Sequence, residues 1–454
     1  MQEMVAVILA AGKGTRMKSA LPKVLHAVGG RPMLRHVMTA AEQAGAKRTI
    51  VVVGFGGDQV QAKIGAAAEY VLQAEQLGTG HAMMQVQPVL AGFSGTILLL
   101  CGDTPLLTDK TLLALVAAHQ QSGAAATVLT AMPADATGYG RILRNESGQV
   151  LGIVEQKDAT PEQKKIGEIN TGIYCFEAAP LFAALAGLTC NNAQKEYYLT
   201  DVLAILAQAG QQVGAVEVAD FQETLGINSR LQLAEAEKIL RQRKLVELMD
   251  SGVTVMDPAS TFVDATVSVG EDTVLYPFTW LEGETTIGRD CRIGPNSRIA
   301  DSQLGDAVTL HFSYAHECKI AEGVTVGPYV HLRPDTQLAA GVKVGNFVEI
   351  KNSLVGQGSK VPHLSYIGDT DIGSGVNIGS GTITVNYDGK KKHRTHIGDD
   401  AFIGCNTNLV APVSVGAGAY IAAGSTITKD VPDGALGVGR ARQSNIAGWV
   451  EKKK

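Results

Sequence analysis

Three stretches of this 454-residue chain carry side chains suited to a polyphosphate. Leu9-Ala10-Ala11-Gly12-Lys13-Gly14-Thr15-Arg16-Met17 is a small-residue loop behind an apolar run, where backbone N–H groups can approach phosphate oxygens closely. Arg16, and Lys23 in Leu21-Pro22-Lys23, add cationic groups. The loop is not a Walker A loop, because no Lys-Ser/Thr follows its second glycine. Nor is it a dinucleotide fingerprint, because Met17 stands where a third glycine belongs. Taken alone, it reads equally as a glycine-rich turn with solvated charges. The segment from Gln73 to Ala82 is polar, bears glycine and is able to read a nucleobase edge. Cys101-Gly102-Asp103 sets a carboxylate at the end of an apolar strand, where hard oxygens suit Mg²⁺ bridging phosphates. Asn228, in Gly226-Ile227-Asn228, offers a second oxygen. An aspartate at a strand end alone is more often a helix cap.

A second group lies in the other half. Arg333 in Leu332-Arg333-Pro334 and Lys351 in Glu349-Ile350-Lys351 can clamp a sugar phosphate. His363 has the residue type that takes a proton from an attacking amine near neutral pH. Asn377 precedes Ile378, and Asn386-Tyr387 opens a polar, basic stretch running to Arg394. A lone histidine is usually a surface or corner residue. An adjacent insertion and neighbouring cations turn this one toward chemistry.

The elements that must position these groups differ between the halves. In the first 230 or so residues, apolar runs (Met4–Leu9, Thr49–Gly54, Thr96–Leu100, Ala126–Leu129) alternate with helical spacing, as from Pro32 to Ala44. That alternation predicts a mostly parallel sheet covered on both faces, with ligands at the carboxyl ends of its strands. Ser229 to Asp250 reads as a long connecting helix, with Ser229 as N-cap and Gly252 as stop. Beyond Val253 the aliphatic residues step by six, as in Val263, Val269, Leu275, Leu281, Ile287, Ile293 and Ile299, and the step resumes at Ile320. Neither a helix nor a simple strand has that period. It predicts a coiled parallel sheet with three flat faces, one hexapeptide to each. The longer gap between Ile378 and Ile397 predicts a projecting loop.

Composition narrows the function classes. Hydrophobic residues are 45% and charged residues 18%, as in a folded globular protein. A net charge of −5 argues against a broad nucleic-acid surface. No apolar run approaches the roughly 20 residues that span a bilayer, which argues against a membrane partner. Met1-Gln2-Glu3-Met4 has no basic region, so the apolar run behind it reads as a strand and not a signal peptide. Six cysteines without a C-x-x-C pair suggest reduced thiols and a cytoplasmic location.

The glycine loop, Pro22-Lys23 and Gln76-Leu77-Gly78-Thr79-Gly80-His81-Ala82 resemble the nucleotidyltransferases that make nucleotide sugars. With hexapeptides behind them, the chain resembles, end to end, the family of bifunctional N-acetylglucosamine-1-phosphate uridylyltransferases/glucosamine-1-phosphate N-acetyltransferases. The resemblance implies an α/β Rossmann-like nucleotidyltransferase domain over 1–228, a helical linker over 229–251, and a left-handed parallel β-helix with a C-terminal tail over 252–454. It implies that Leu9, Ala10, Ala11, Gly12, Gln73, Gly78 and Thr79 contact uridine, with Cys101 and Gly102 beside them. Arg16 and Lys23 would steady the phosphates of UTP, and Asp103 and Asn228 would hold Mg²⁺. Gly140, Glu155 and Asn170 would hold the sugar. His363 would be the general base, with Arg333, Lys351, Tyr366 and Asn377 on glucosamine-1-phosphate. Acetyl-CoA would lie along Ser380, Asn386, Tyr387, Cys405, Ala423 and Arg440. Family members often carry Tyr at 101, Ala at 380 and Ser at 405; Cys101 would keep the backbone contacts, and Ser380 and Cys405, being small, would keep the groove. The resemblance also implies a homotrimer and a product, UDP-N-acetylglucosamine, that feeds peptidoglycan and lipopolysaccharide precursors. The alternative is a single-activity sugar-nucleotide pyrophosphorylase with a structural β-helix. In the tail, Ile446, Trp449 and Val450 are suited to pack on a neighbour or on their own chain.

Overall fold

The computed structural model describes residues 3–453. Met1, Gln2 and Lys454, which fall within the expected domain bounds and the signal-peptide reading, lie outside the described residues. The chain forms two compact units, one ending at Leu240 and the other beginning at Arg241.

In the first unit, strand Met4–Ala10 lies at the centre of the main sheet. It pairs in parallel with Arg48–Val53 on one side and Thr96–Cys101 on the other. Strand Glu69–Leu72 extends the first side in parallel. On the other side, Ile169–Glu177 runs antiparallel between Thr96–Cys101 and Ala126–Ala131, and Val213–Glu217 closes the edge. A hairpin, Arg141–Arg144 with Val150–Val154, attaches to Ile169. The expected mostly parallel sheet is therefore present with an antiparallel strand inserted. Strand Met4–Ala10 is apolar at every position because both faces are covered. Val5 and Val7 pack with Met83 and Leu181 on one face, while Ala6 and Ile8 pack with Leu34, Val37 and Leu112 on the other. Because the chain leaves Met4–Ala10 between neighbours on either side, a crevice opens at its carboxyl end.

The helix Arg230–Asp250 begins as expected: Ser229 Oγ accepts from the N–H of Gln232 at 3.2 Å. After Gly252, with φ +92°, the N–H of Val253 returns to the carbonyl of Leu248.

The second unit is a left-handed parallel β-helix of short strands. Leu275 pairs with Ile293, which pairs with Leu310, then Val326 and Val344, one inward aliphatic per coil on this face. The stacked side chains form one continuous core from Val253 to Val431. The gap in the six-residue step after Ile299 is not a break in the stack. Leu304, Leu310 and Ala315 continue it, on strands whose pairings show shortened coils, as in Arg298↔Tyr314. At the insertion the pairing Asp371↔His396 steps over the extra residues, so the stack resumes in register. Buried hydroxyls such as Thr279, Thr336 and Thr382 donate to corner carbonyls, and Cys318 does the same through its thiol. The chain thus turns without stranding backbone acceptors.

Candidate functional sites

The crevice of the first unit is built around Lys23. Gly14 has φ +58°, and a Cβ there would lie 2.6 Å from that of Lys23, so glycine lets the lysine pack beneath the loop. The turn Lys23–Leu25 aims the ammonium at two oxygens: Asp103 Oδ2 at 2.5 Å and Asn228 Oδ1 at 2.9 Å. Asp103 is not a helix cap. Helix Asp109–Ser122 is capped instead by Thr108, whose hydroxyl accepts from the N–H of Thr111. The oxygens of Asp103 and Asn228 thus converge on one cationic point, a donor set that suits a hard divalent cation sharing its remaining positions with phosphate and water.

Leu9, Ala10, Ala11, Gly12, Lys23, Gln73, Gly78, Thr79, Cys101 and Asp103 line a single cavity of about 290 Å³. Gly102 holds its floor: its N–H donates to the carbonyl of Leu9 at 2.9 Å. Gly78 has φ +110°, and a Cβ there would strike the carbonyl of Tyr197 at 2.6 Å. Thr79 Oγ1 accepts from the N–H of Leu199. Arg16 is exposed, on the 3-10 turn Thr15–Met17 pinned by buried Met17. Burial, with Asp103 adding to it, pushes the Cys101 thiol up to about 12, so it is neutral, and it donates to the carbonyl of Gly172.

Gly140, Glu155 and Asn170 form a second cluster. The N–H of Asn170 donates to the carbonyl of Gly140 at 2.9 Å, and a Cβ at Gly140 would meet Glu155 Oε1 at 3.4 Å. Burial raises the Glu155 carboxyl above its ordinary range, against a hydrogen bond from Thr200. Val24, Gln76, Ala82 and Glu196 also line the cavity and were missed as site residues. The first three stood beside or inside quoted motifs, whereas Glu196 carried no signal.

In the second unit the expected residues fall on two edges of one prism face. At one edge, His363 is exposed and its Nδ1 lies 2.9 Å from Asn346 Oδ1 on the preceding coil. On later coils of the same edge, Asn406 donates to the carbonyl of Ser380 and Gly424 to that of Cys405, while Arg440 Nη1 reaches the carbonyl of Ala423 at 2.8 Å. Tyr366 stands on the face between, whereas Asn377, one coil later, pairs with Lys360 on the far side of the His363 edge. At the other edge, Arg333 pairs with Glu349 at 2.8 Å. The Lys392 ammonium beside Lys351 holds that lysine below its ordinary range, with burial and Arg333 acting in the same direction and Asp369 opposing. Three cations thus gather where only two were expected. Lys392 lay unmarked within the basic stretch of the insertion.

One expectation needs correction. Asn386 does not project with the loop. It is buried, and its amide donates to Asp369 Oδ2 at 2.5 Å and lies 3.5 Å from the Tyr366 hydroxyl. Buried Asp369 demands these amide donors, and Asn352 supplies another. The projecting part begins at Tyr387, and Arg394 clamps its far end to Asp371.

Comparison with known proteins agrees with the two-part architecture. The nucleotidyl transferase family matches residues 5–235. The bacterial transferase hexapeptide family (six repeats) matches residues 317–352 and 394–429. Among curated relatives, the bifunctional protein GlmU of Pelotomaculum thermopropionicum is 59% identical over 452 residues, covering 100% of this chain and 99% of its own. That of Heliobacterium modesticaldum is 58% identical over 453 residues, with the same coverage. That of Geobacillus sp. (strain WCH70) is 54% identical over 447 residues, covering 98% and 97%.

Proposed function

Because the chain belongs to the GlmU family of bifunctional proteins, we propose that its two sites carry out successive steps in making UDP-N-acetylglucosamine. It is an enzyme of two activities, a nucleotidyltransferase in the N-terminal half and a hexapeptide acyltransferase in the C-terminal half. We take 1–228, 229–251 and 252–454 as the functional division.

In the first step the amine of glucosamine-1-phosphate attacks the thioester carbonyl of acetyl-CoA. The N–C bond forms, the C–S bond breaks, and CoA leaves as its thiol. His363 takes the amine proton, oriented by Asn346. Arg333, Lys351 and Lys392 hold the phosphate, which compensates their mutual repulsion. Tyr366 and Asn377 contact the sugar. Asn386, Tyr387, Ser380, Cys405, Ala423 and Arg440 line the path of acetyl-CoA.

In the second step a phosphate oxygen of N-acetylglucosamine-1-phosphate attacks the α-phosphorus of UTP, and pyrophosphate leaves. Gln73, Gly78 and Thr79 hold the uridine against the loop Leu9–Gly12, while Gly140, Glu155 and Asn170 hold the sugar. Lys23 and Arg16 neutralise phosphate charge, and no protein nucleophile is required. Asp103 and Asn228 would hold Mg²⁺, which supplies further charge neutralisation when bound.

The observation that carries this reading is the convergence of Lys23, Asp103 and Asn228 at the carboxyl end of the central strands. The test is mass-spectrometric detection of UDP-N-acetylglucosamine from glucosamine-1-phosphate, acetyl-CoA, UTP and Mg²⁺. Absence of CoA release when UTP is withheld would remove the acetyl-transfer half.

A homotrimer is part of the proposal. Phe278, Phe312, Tyr329, Phe347 and Leu364 form a column along one prism corner, each with positive φ. Tyr329 and Phe347 stack at 5.4 Å, yet both are more than half exposed. Bulky residues in that conformation are strained, and covering them with other copies of the chain offsets the strain. Ile446, Trp449 and Val450 are likewise exposed. A cytoplasmic location and supply of peptidoglycan and lipopolysaccharide precursors complete the proposal. Among the described residues, no helix is long and apolar enough to cross a membrane.

A further inference from the structure

Arginine is almost never fully buried unless it is paired. Arg141, which opens strand Arg141–Arg144, is only 2% exposed. One of its terminal nitrogens donates to the carbonyl of Tyr139 and the other to Oε1 of Gln156 at 2.9 Å, both neutral oxygens. The same Gln156 oxygen accepts from the N–H of Gly138 at 3.3 Å. Nε of Arg141 is sealed from solvent and meets no acceptor among the described residues. A desolvated guanidinium with an idle donor costs stability, so its retention asks for a reason beyond packing.

The place of Arg141 in the sheet supplies one. Its backbone pairs with Val154 on one side and with Ile169 on the other. Gly140, Glu155 and Asn170 each lie one residue from this row. The guanidinium therefore ties the turn that carries Gly140 to the residue that follows Glu155, and the N–H of Asn170 closes the third side on the carbonyl of Gly140. The charges acting on the Glu155 carboxyl come from Asp201 and Asp158, so the brace works on this cluster by geometry.

We propose that Arg141 is a positioning residue for the acceptor of uridylyl transfer: by bridging Tyr139 and Gln156 it fixes the spacing of Gly140, Glu155 and Asn170, and so governs the fit of the sugar phosphate and not of the nucleotide. The proposal rests on the reading above that these three residues hold the sugar. A brace of this kind holds contact residues in productive geometry without itself touching the substrate.

The test measures pyrophosphate release by the full-length enzyme, with UTP and N-acetylglucosamine-1-phosphate varied in turn. Arg141→Lys keeps the charge and loses the planar fork that reaches two oxygens. It should raise KM for N-acetylglucosamine-1-phosphate at least about tenfold. KM for UTP should stay within about twofold of wild type. Gln156→Leu leaves the guanidinium and removes its acceptor, and it should move the same constant in the same direction. Combining the two should exceed Arg141→Lys by no more than about twofold, because one link is broken twice. Acetyl transfer should be unchanged throughout. Equal rises in both KM values overturn the proposal, as do unaltered sugar-phosphate affinity in Arg141→Lys and full additivity in the double variant. If Arg141→Lys does not fold, Gln156→Leu carries the test; failure of both assigns the pair to packing and overturns the proposal. An unaltered KM for the sugar phosphate in Glu155→Ala sinks the sugar-cluster reading itself and the proposal with it, a result separate from the behaviour of the Arg141 and Gln156 variants.

Discussion

Lys23, on the turn Lys23–Leu25, and Asp103, just past the carboxyl end of strand Thr96–Cys101, are 80 residues apart in sequence and joined by a 2.5 Å ion pair. The pair is mostly shielded, and the same ammonium also reaches Asn228. Each partner is thus both a structural anchor and a candidate for the phosphate chemistry.

Replacing either partner should abolish one activity only. Asp103→Asn is expected to lower uridylyl transfer by at least about 100-fold while acetyl transfer stays unchanged. Lys23→Met should do the same, and it also leaves Asp103 without its ion partner, at a cost of about 1–3 kcal/mol. Pyrophosphate release and CoA release, measured on one preparation, check both. Parallel loss of both activities would refute the assignment.

The reciprocal separation should hold for the imidazole. His363→Ala should reduce acetyl transfer by about 10²–10⁴-fold with uridylyl transfer intact. Asn346→Ala removes only the group that orients Nδ1, so a smaller loss, about tenfold, is expected. Thiol-dye detection of CoA gives both values. Full acetyl transfer in His363→Ala would end the general-base assignment.

The cysteines should react in a fixed order. Burial keeps Cys101 protonated, with its thiol pushed up to about 12, whereas Cys405 is exposed. Iodoacetamide at pH 8 should label Cys405 first and leave Cys101 unmodified. Labelled Cys405 should block acetyl transfer, and acetyl-CoA should protect it. Peptide mass spectrometry reads the order, and faster labelling of Cys101 contradicts it.

Acid should weaken the first unit through its buried histidines. Burial, opposed by Glu177, holds His119 below its ordinary value of 6.5, and His26 and His36 are shifted the same way. Below about pH 6.5 the unfolded chain binds protons that the folded one resists, so stability falls with pH from there down to the folded-state values. One such group contributes a slope of no more than about 1.4 kcal/mol per pH unit. His119→Gln should flatten part of that slope, read by hydrogen exchange of strand Ala126–Ala131 between pH 5.5 and 7.5. An equal slope in the variant would remove His119 from the account.

Periodic features were the legible part of this chain. Six-residue spacing is imposed by geometry on every coil, so it survives in composition, and the glycine loop is local and continuous. Lys392, Glu349 and Glu196 were not visible, because each acquires meaning only from a residue brought near by the fold. Asn386 was misread for a related reason: its demand comes from buried Asp369, seventeen residues earlier and one coil away. The shortened coils around Leu310 broke the counted period without breaking the stack, since pairing tolerates a tighter corner.

A coil of the prism is clasped only by those immediately before and after it, so melting should travel inward from an open end, as a zipper parts. Strand Leu436–Gly437 pairs in parallel with Tyr420–Ile421 at the C-terminal end of the stack. Ala423 and Arg440, proposed to touch the thioester carrier, sit at that margin. Occupancy there should act as a clasp: saturating acetyl-CoA would raise the temperature at which the terminus loosens well before it shifts the melting of the earlier coils.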